Sequence, residues 1–141
     1  MSKLKKEKSI TKLTKELDKW FSLYVRLSNA YKDGLVHCYT CTSVSHYKKI
    51  HAGHYISRYY KATRWDERNV RPQCFMCNIF RKGNAVIFRR NLVNEIGDVA
   101  VEEMEKSVDV LLRGGFKVDF FLEKIVFYKG KVDNLLDKKN N

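Results

Sequence analysis

The sequence has 141 residues, 44% hydrophobic and 31% charged, with 28 Lys and Arg against 16 Asp and Glu. That length supports one hydrophobic core and excludes a second domain, and no apolar run approaches the ~20 residues of a membrane span. The formal net charge of +12 points to a polyanionic partner, because Lys and Arg that neutralise phosphates release condensed counterions. The lysines at the start are not followed by the apolar stretch of a signal peptide, so a cytoplasmic protein is expected.

Residues 1–9 read as a lysine-rich basic arm. From Ile10, the apolar residues Leu13, Leu17, Trp20, Phe21, Tyr24 and Tyr31 recur at helical spacing, and Asp33-Gly34 supplies a stop, which predicts an N-terminal helix over 10–33. From Leu35 to Gln73 the pattern shifts to short stretches rich in Tyr, His and Val, with a glycine at Gly53, suited to a small hairpin and loops. Cys77 to Lys82 reads as a short helix ended by Gly83. Residues 84–137 then read as C-terminal helices. The first has Ala85, Phe88, Leu92 and Ile96 on one face. The second is capped by Asp98, with Val101, Met104, Val108 and Leu111 inward and Gly114-Gly115 closing it. The last is capped by Asp119, with Phe121, Ile125, Tyr128, Val132 and Leu135 inward. The fold class that follows is α+β and mainly helical, a single domain over 1–141, with two or three helices packed on the first.

Charge is concentrated in the middle, where residues 42–90 carry 11 basic and 2 acidic side chains. The same region holds all four cysteines, in two CxxC pairs, Cys38/Cys41 and Cys74/Cys77. As disulfides they would need an oxidising compartment. As metal ligands they supply four thiolates, a closed tetrahedral shell for a structural Zn²⁺ with no open position for substrate. Zinc is the expectation, as scaffold and not as catalyst.

Around the cysteines lie His51-Ala-Gly-His54-Tyr55, then Asn69, then Gln73-Cys74-Phe-Met-Cys77-Asn78, then Gly83-Asn84. A strand carrying a histidine, a loop carrying an asparagine and a helix opening on a polar ligand follow the order of a ββα-metal nuclease site. Phosphodiester hydrolysis needs a base, a cation and groups that hold the backbone. A neutral imidazole can accept the proton near neutral pH, and Mg²⁺ or Mn²⁺ held by few protein ligands can serve as the Lewis acid. On this reading His54 is the base, Asn78 a ligand of the catalytic metal, and Asn69 the residue whose amide ties the loop to the hairpin.

These motifs together resemble the NinG/Rap recombination proteins of lambdoid phages, members of the wider HNH (His-Me finger) endonuclease class. The resemblance covers residues 35 to 97 closely. It implies a zinc-stabilised, treble-clef-like ββα-metal core over 35–83, flanked by the N-terminal and C-terminal helices. It also implies a phage-encoded nuclease, working in the cytoplasm of the bacterial host, that acts on branched intermediates such as Holliday junctions and displacement loops. In site layout the chain is similar, more distantly, to the endonuclease VII resolvases of T-even phages. One departure is Gly53, where many HNH sites place a metal-binding Asp. Either His51 reaches the metal, which a bulge at Gly53 would permit, or Asn78 holds it with extra waters.

Arg58, Lys61, Arg64, Arg71, Arg81, Lys82, Arg89 and Arg90 are the candidate DNA-facing cations. Tyr55, Tyr59, Tyr60 and Trp65 are either base-stacking or core residues. Cutting a symmetric junction twice suits a homodimer. The alternatives are a non-catalytic zinc module that binds nucleic acid and a site-specific HNH nuclease.

Overall fold

The protein is described by a computed structural model covering residues 2–108 and 115–140. Helix α1 runs over Lys3–Ser28, so most of the expected basic arm is the first turns of a helix. It also stops earlier than the periodicity predicts. The side chains of Ser28 and Asn29 hydrogen-bond the carbonyl of Val25, which competes with continuation of the helix. Tyr31 therefore falls beyond the helix and is exposed. Four short strands follow: β1 (Leu35–His37), β2 (Val44–His46), β3 (His51–His54) and β4 (Val70–Gln73). They form two separate antiparallel pairs, β1 with β2 and β3 with β4. Between β3 and β4 lie a one-turn helix α2 (Lys61–Arg64) and a 3₁₀ turn at Glu67–Asn69. After β4 comes a single π-type turn, Met76–Phe80, then helices α3 (Ala85–Ile96), α4 (Asp98–Ser107) and α5 (Val118–Asn140).

The inward faces fall largely where helical spacing puts them. Leu17, Phe21 and Val25 of α1 pack with Phe121, Ile125 and Tyr128 of α5 around Trp65 and Val70. A second cluster joins Phe88 and Leu92 of α3 to Val101 and Met104 of α4 and to Ile56. Ala85 proves exposed. Asp98 and Asp119 sit inside the first turns of α4 and α5 and not at the cap positions, where as acids they still favour the helix N-terminus. Leu111 and Gly114 lie outside the described residues. The one-turn α2 and three- to four-residue strands bury little by themselves, and the segment between α1 and α3 is anchored by Trp65, Val70 and Ile56 in the two clusters, by polar bonds and by its cysteines.

Phe121 is fully buried between α1 and α5 and edge-on to Trp65. Truncation to alanine there is expected to cost about 3–5 kcal/mol of unfolding free energy. Leu122→Ala on the exposed side of the same helix should cost under about 0.5 kcal/mol. Paired urea denaturation curves measure both.

Candidate functional site

Cys38 and Cys41 lie in the connection between β1 and β2, and Cys74 and Cys77 in the turn from β4 into the π-type turn. All four thiols are free, and their sulfurs lie within 4.8 Å of one another. Cys41 and Cys74 are 3.6 Å apart. Four Zn–S bonds of ~2.3 Å in a tetrahedron place sulfurs roughly 3.8 Å apart, so the cluster could hold a zinc ion. The surroundings suit thiolates as well. Backbone amides of Cys74, Cys77 and Ser43 donate to Cys38, Cys74 and Cys41 in turn. Arg81 and Asn84 donate to Cys77. Burial pushes the Cys38 thiol up to about 11. At Cys74 burial acts in the same direction but is outweighed by hydrogen bonds from Ser43, Cys77 and Cys41, which bring it down to about 6.

Gln73 links this cluster to β3. Its side-chain amide donates to Thr40 in the first cysteine turn and to the carbonyl of Gly83 beyond the second. The rest of the side chain lies across Gly53, where an added Cβ would fall 1.9 Å from the Gln73 amide oxygen. Gly53 is therefore the space that Gln73 fills. The backbone carries no bulge there: β3 pairs with β4 in continuous register, Gly53 opposite Arg71 and His54 opposite Val70. The chain leaves the π-type turn through three consecutive left-handed residues, Lys82, Gly83 and Asn84.

His51, His54, Asn78, Arg58 and Lys82 line one cleft of about 670 Å³, together with Ser22 and Arg26 of α1. The sequence reading missed the contribution of α1, because nothing in a helical repeat announces which outward residue faces a distant loop. The Asn78 amide donates to His51 Nδ1 at 3.0 Å, so the two expected ligand residues meet. His54 Nε2 lies 2.8 Å from the carbonyl of Arg64. A carbonyl only accepts, so Nε2 carries the proton and Nδ1 keeps the lone pair. Burial, opposed by the Arg64 hydrogen bond and assisted by the charge of Arg58, lowers the His54 pKa to about 4, which keeps the ring neutral at physiological pH. Among the described residues no carboxylate lines this cleft.

Asn69 is fully buried outside the cleft. Its amide accepts from the backbone of Ile56 and donates to the carbonyls of Ile56 and Thr63, which ties the segment after β3 to the turn before β4. The cations divide sharply. Arg64 is bound by Asp18 and the carbonyl of Arg58, and Arg71 by Glu95 and the carbonyls of Glu67 and Val70. Arg89 pairs with Glu105, which also accepts from Tyr55. These three are structural ties before they are anything else. Arg58, Lys61, Lys82 and Arg90 are exposed and have no carboxylate partner among the described residues, while Arg81 reaches Cys77. Trp65 is buried, with its ring nitrogen bonded to Asp18, and Tyr59 is exposed.

A family profile described as Bacteriophage Lambda NinG protein matches residues 1–138. The chain belongs to the NinG family. Among curated members, Protein ninG of Escherichia phage 933W is 40% identical over 73 residues, 51% of this chain and 34% of that protein. Protein ninG of Enterobacteria phage H19B is 44% identical over 57 residues, 40% of this chain and 28% of that one. The lambda member is 37% identical over 73 residues, with 51% and 34% covered. The alignments thus span about a third of these curated relatives. No solved structure matches the chain. No described helix is long and apolar enough to cross a membrane.

One zinc per chain is the expected content by elemental analysis. Its binding at neutral pH should release protons, including that of the Cys38 thiol, whose value burial raises to about 11. Chelation should disorder residues 35–83 before the packing of α1 on α5, as amide hydrogen exchange would read. Absence of zinc, or a Cys77→Ser variant with unchanged exchange, would exclude the assignment.

Proposed function

We propose that this chain is a metal-dependent DNA endonuclease of the HNH class that hydrolyses phosphodiester bonds in branched recombination intermediates, Holliday junctions and displacement loops, in the cytoplasm of the bacterial host. The observation that carries the reading is the His54 ring. It is neutral, tautomerically fixed by the Arg64 carbonyl and set in a cleft with His51, Asn78 and unpaired cations. The β3–β4 pair followed by the Met76–Phe80 turn, with Cys74 just before that turn and Cys77 inside it, supports a ββα-metal, treble-clef-like core.

On this reading His54 Nδ1 takes the proton of the attacking water, and Nε2 stays bonded to the Arg64 carbonyl throughout, so the ring does not turn as it charges. Arg58 and Lys82 hold phosphate oxygens on either side of the scissile bond. Asn69 keeps the loop that carries Arg64 in place. His51 and Asn78 would hold the catalytic ion after giving up their bond to each other, and the ion would supply Lewis-acid stabilisation of the leaving oxygen. An imidazole nitrogen and an amide oxygen, with no carboxylate, suit Mn²⁺ better than Mg²⁺. The chain as a homodimer would present two such clefts to a symmetric junction.

Cleavage of a labelled four-way junction is the direct test. His54→Ala should keep junction affinity and lose cleavage by at least ~100-fold. Asn78→Ala should lose a comparable factor that excess Mn²⁺ partly restores. A base held near pKa 4 stays competent as pH falls, so the acid limb of kcat/KM should lie below about pH 5 and not near the ordinary histidine value. Normal cleavage by His54→Ala removes the assignment. Tight binding with no cleavage under any divalent ion favours the second reading, a non-catalytic zinc module. That reading draws on the cysteine cluster being the one group of three or more His, Cys, Asp or Glu ligands among the described residues.

A further inference from the structure

The π-type turn Met76–Phe80 and the residue before it turn four large apolar side chains to solvent. Phe75, Met76, Ile79 and Phe80 are 53, 51, 52 and 67% exposed. They form a surface and not isolated residues: the rings of Phe75 and Phe80 meet edge-on at 5.3 Å, and Phe75 meets His51 edge-on at 5.8 Å. Ile79 lines the cleft itself. The turn that carries them is pinned at Cys77, and its length is fixed by the bonds of Arg81 to the Met76 carbonyl and of Gly83 to the Cys77 carbonyl. Aromatic rings this exposed on so rigid a support are not an unfinished core, since both hydrophobic clusters close without them.

What they face is set by the neighbouring charges. The exposed cations Arg58 and Lys82 and, among the described residues, no carboxylate line the adjoining cleft, which suits an occupant with an anionic backbone. The patch beside it needs an apolar, planar face within a nucleotide's reach of that backbone. A linear duplex supplies the phosphates but hides its base faces in the stack, whereas a branch point supplies both. We infer that Phe75, Met76, Ile79 and Phe80 form a stacking wedge that receives unpaired or unstacked bases at the branch point of the DNA. The wedge thereby selects branched over linear substrate and sets the scissile phosphate relative to His54. This rests on the nuclease reading for its substrate and adds to it the element that reads structure. Apolar side chains wedged against base steps and aromatic rings stacked on single-stranded bases are both known means of holding distorted DNA.

The experiment uses the whole 141-residue chain, zinc-loaded and without a catalytic ion. Four-way junctions carry 2-aminopurine at the branch or in mid-arm, and a linear duplex of the same arm sequence serves as reference. Wild-type protein should change the fluorescence of branch-point 2-aminopurine only. The double variant Phe75→Ala/Phe80→Ala should abolish that change and lower the junction-to-duplex affinity ratio by about tenfold or more, the loss expected for roughly one stacked base. Its duplex affinity and zinc content should be unaltered. Phe80→Trp, which keeps a ring, should retain both signals, and Val126→Ala, an exposed apolar residue on α5, should change nothing. An unaltered affinity ratio in the double variant overturns the wedge. So does sedimentation showing that the double variant converts a dimer to monomers, because the patch is then an interface between copies. Failure of wild-type protein to bind any DNA overturns the nuclease reading instead, and branch-specific fluorescence without cleavage on adding Mn²⁺ supports the wedge while removing catalysis.

Discussion

Four sulfurs gathered within 4.8 Å are the constraint on which the middle of this chain depends. If the thiols ionise without a cation they repel one another; if they stay protonated they contribute little beyond packing. With a zinc ion the cluster joins the β1–β2 connection to the turn after β4, two points more than thirty residues apart in sequence, and fixes them at bonding distance. The strands it joins have three or four residues each, too few to persist by pairing alone. Metal binding here would be folding free energy for this region, while α1 and α5 bury a conventional core. The backbone amides and the Arg81 and Asn84 side chains that donate to sulfur spread the remaining negative charge of the cluster into the turn that carries Asn78.

A second set of bonds ties the helical core to the cleft. Asp18 of α1 accepts from Arg64 and from the ring nitrogen of Trp65. Trp65 is wedged among Phe116, Phe120 and Phe121, and the Arg64 carbonyl accepts a hydrogen bond from His54 Nε2. The histidine is thus oriented by a loop whose position is set by α1 and α5, and the asparagine opposite by the cysteine cluster. The helical core and the cysteine cluster thus meet at the cleft, joined through the β3–β4 pair.

How much of this was legible in the sequence depends on which physical signal carried it. The helical repeat gave Leu17, Phe21, Phe88, Leu92, Val101, Met104, Phe121, Ile125, Tyr128 and Val132 as inward, because burial on a helix has a fixed period. The cysteine spacing identified the cluster, and the order of His51, His54 and Asn78 anticipated that they would share a cleft. Charge counting was weaker. A count of cations ignores where carboxylates return in space, and Asp18, Glu95 and Glu105, far away in sequence, claim Arg64, Arg71 and Arg89. The end of α1 was misplaced because Ser28 and Asn29 bond the helix's own carbonyl, a local competition with no apolar signature. The exposed rings of Phe75 and Phe80 were hidden by their position: between and beside cysteines, aromatic residues read as packing.

Gly53 shows how a residue without a side chain can shape a site. The space beside it on β3 is taken by Gln73, fully buried and bonded to Thr40 and Gly83. Gln73 is thereby a polar clamp between the cysteine turn and β3. With only His51 and Asn78 to hold it, a divalent ion gains few strong contacts from the protein alone, and the oxygens that complete its shell come from water or from a phosphate. Under the nuclease reading, cation and DNA therefore each bind better in the presence of the other, and linkage makes the gain equal in both directions. On the same reading, the exposed cations Arg58 and Lys82 in the cleft would draw the DNA backbone without prior metal, so that catalytic metal and substrate would be recruited together while Gln73 and the cysteine cluster hold β3, and His54 with it, in place.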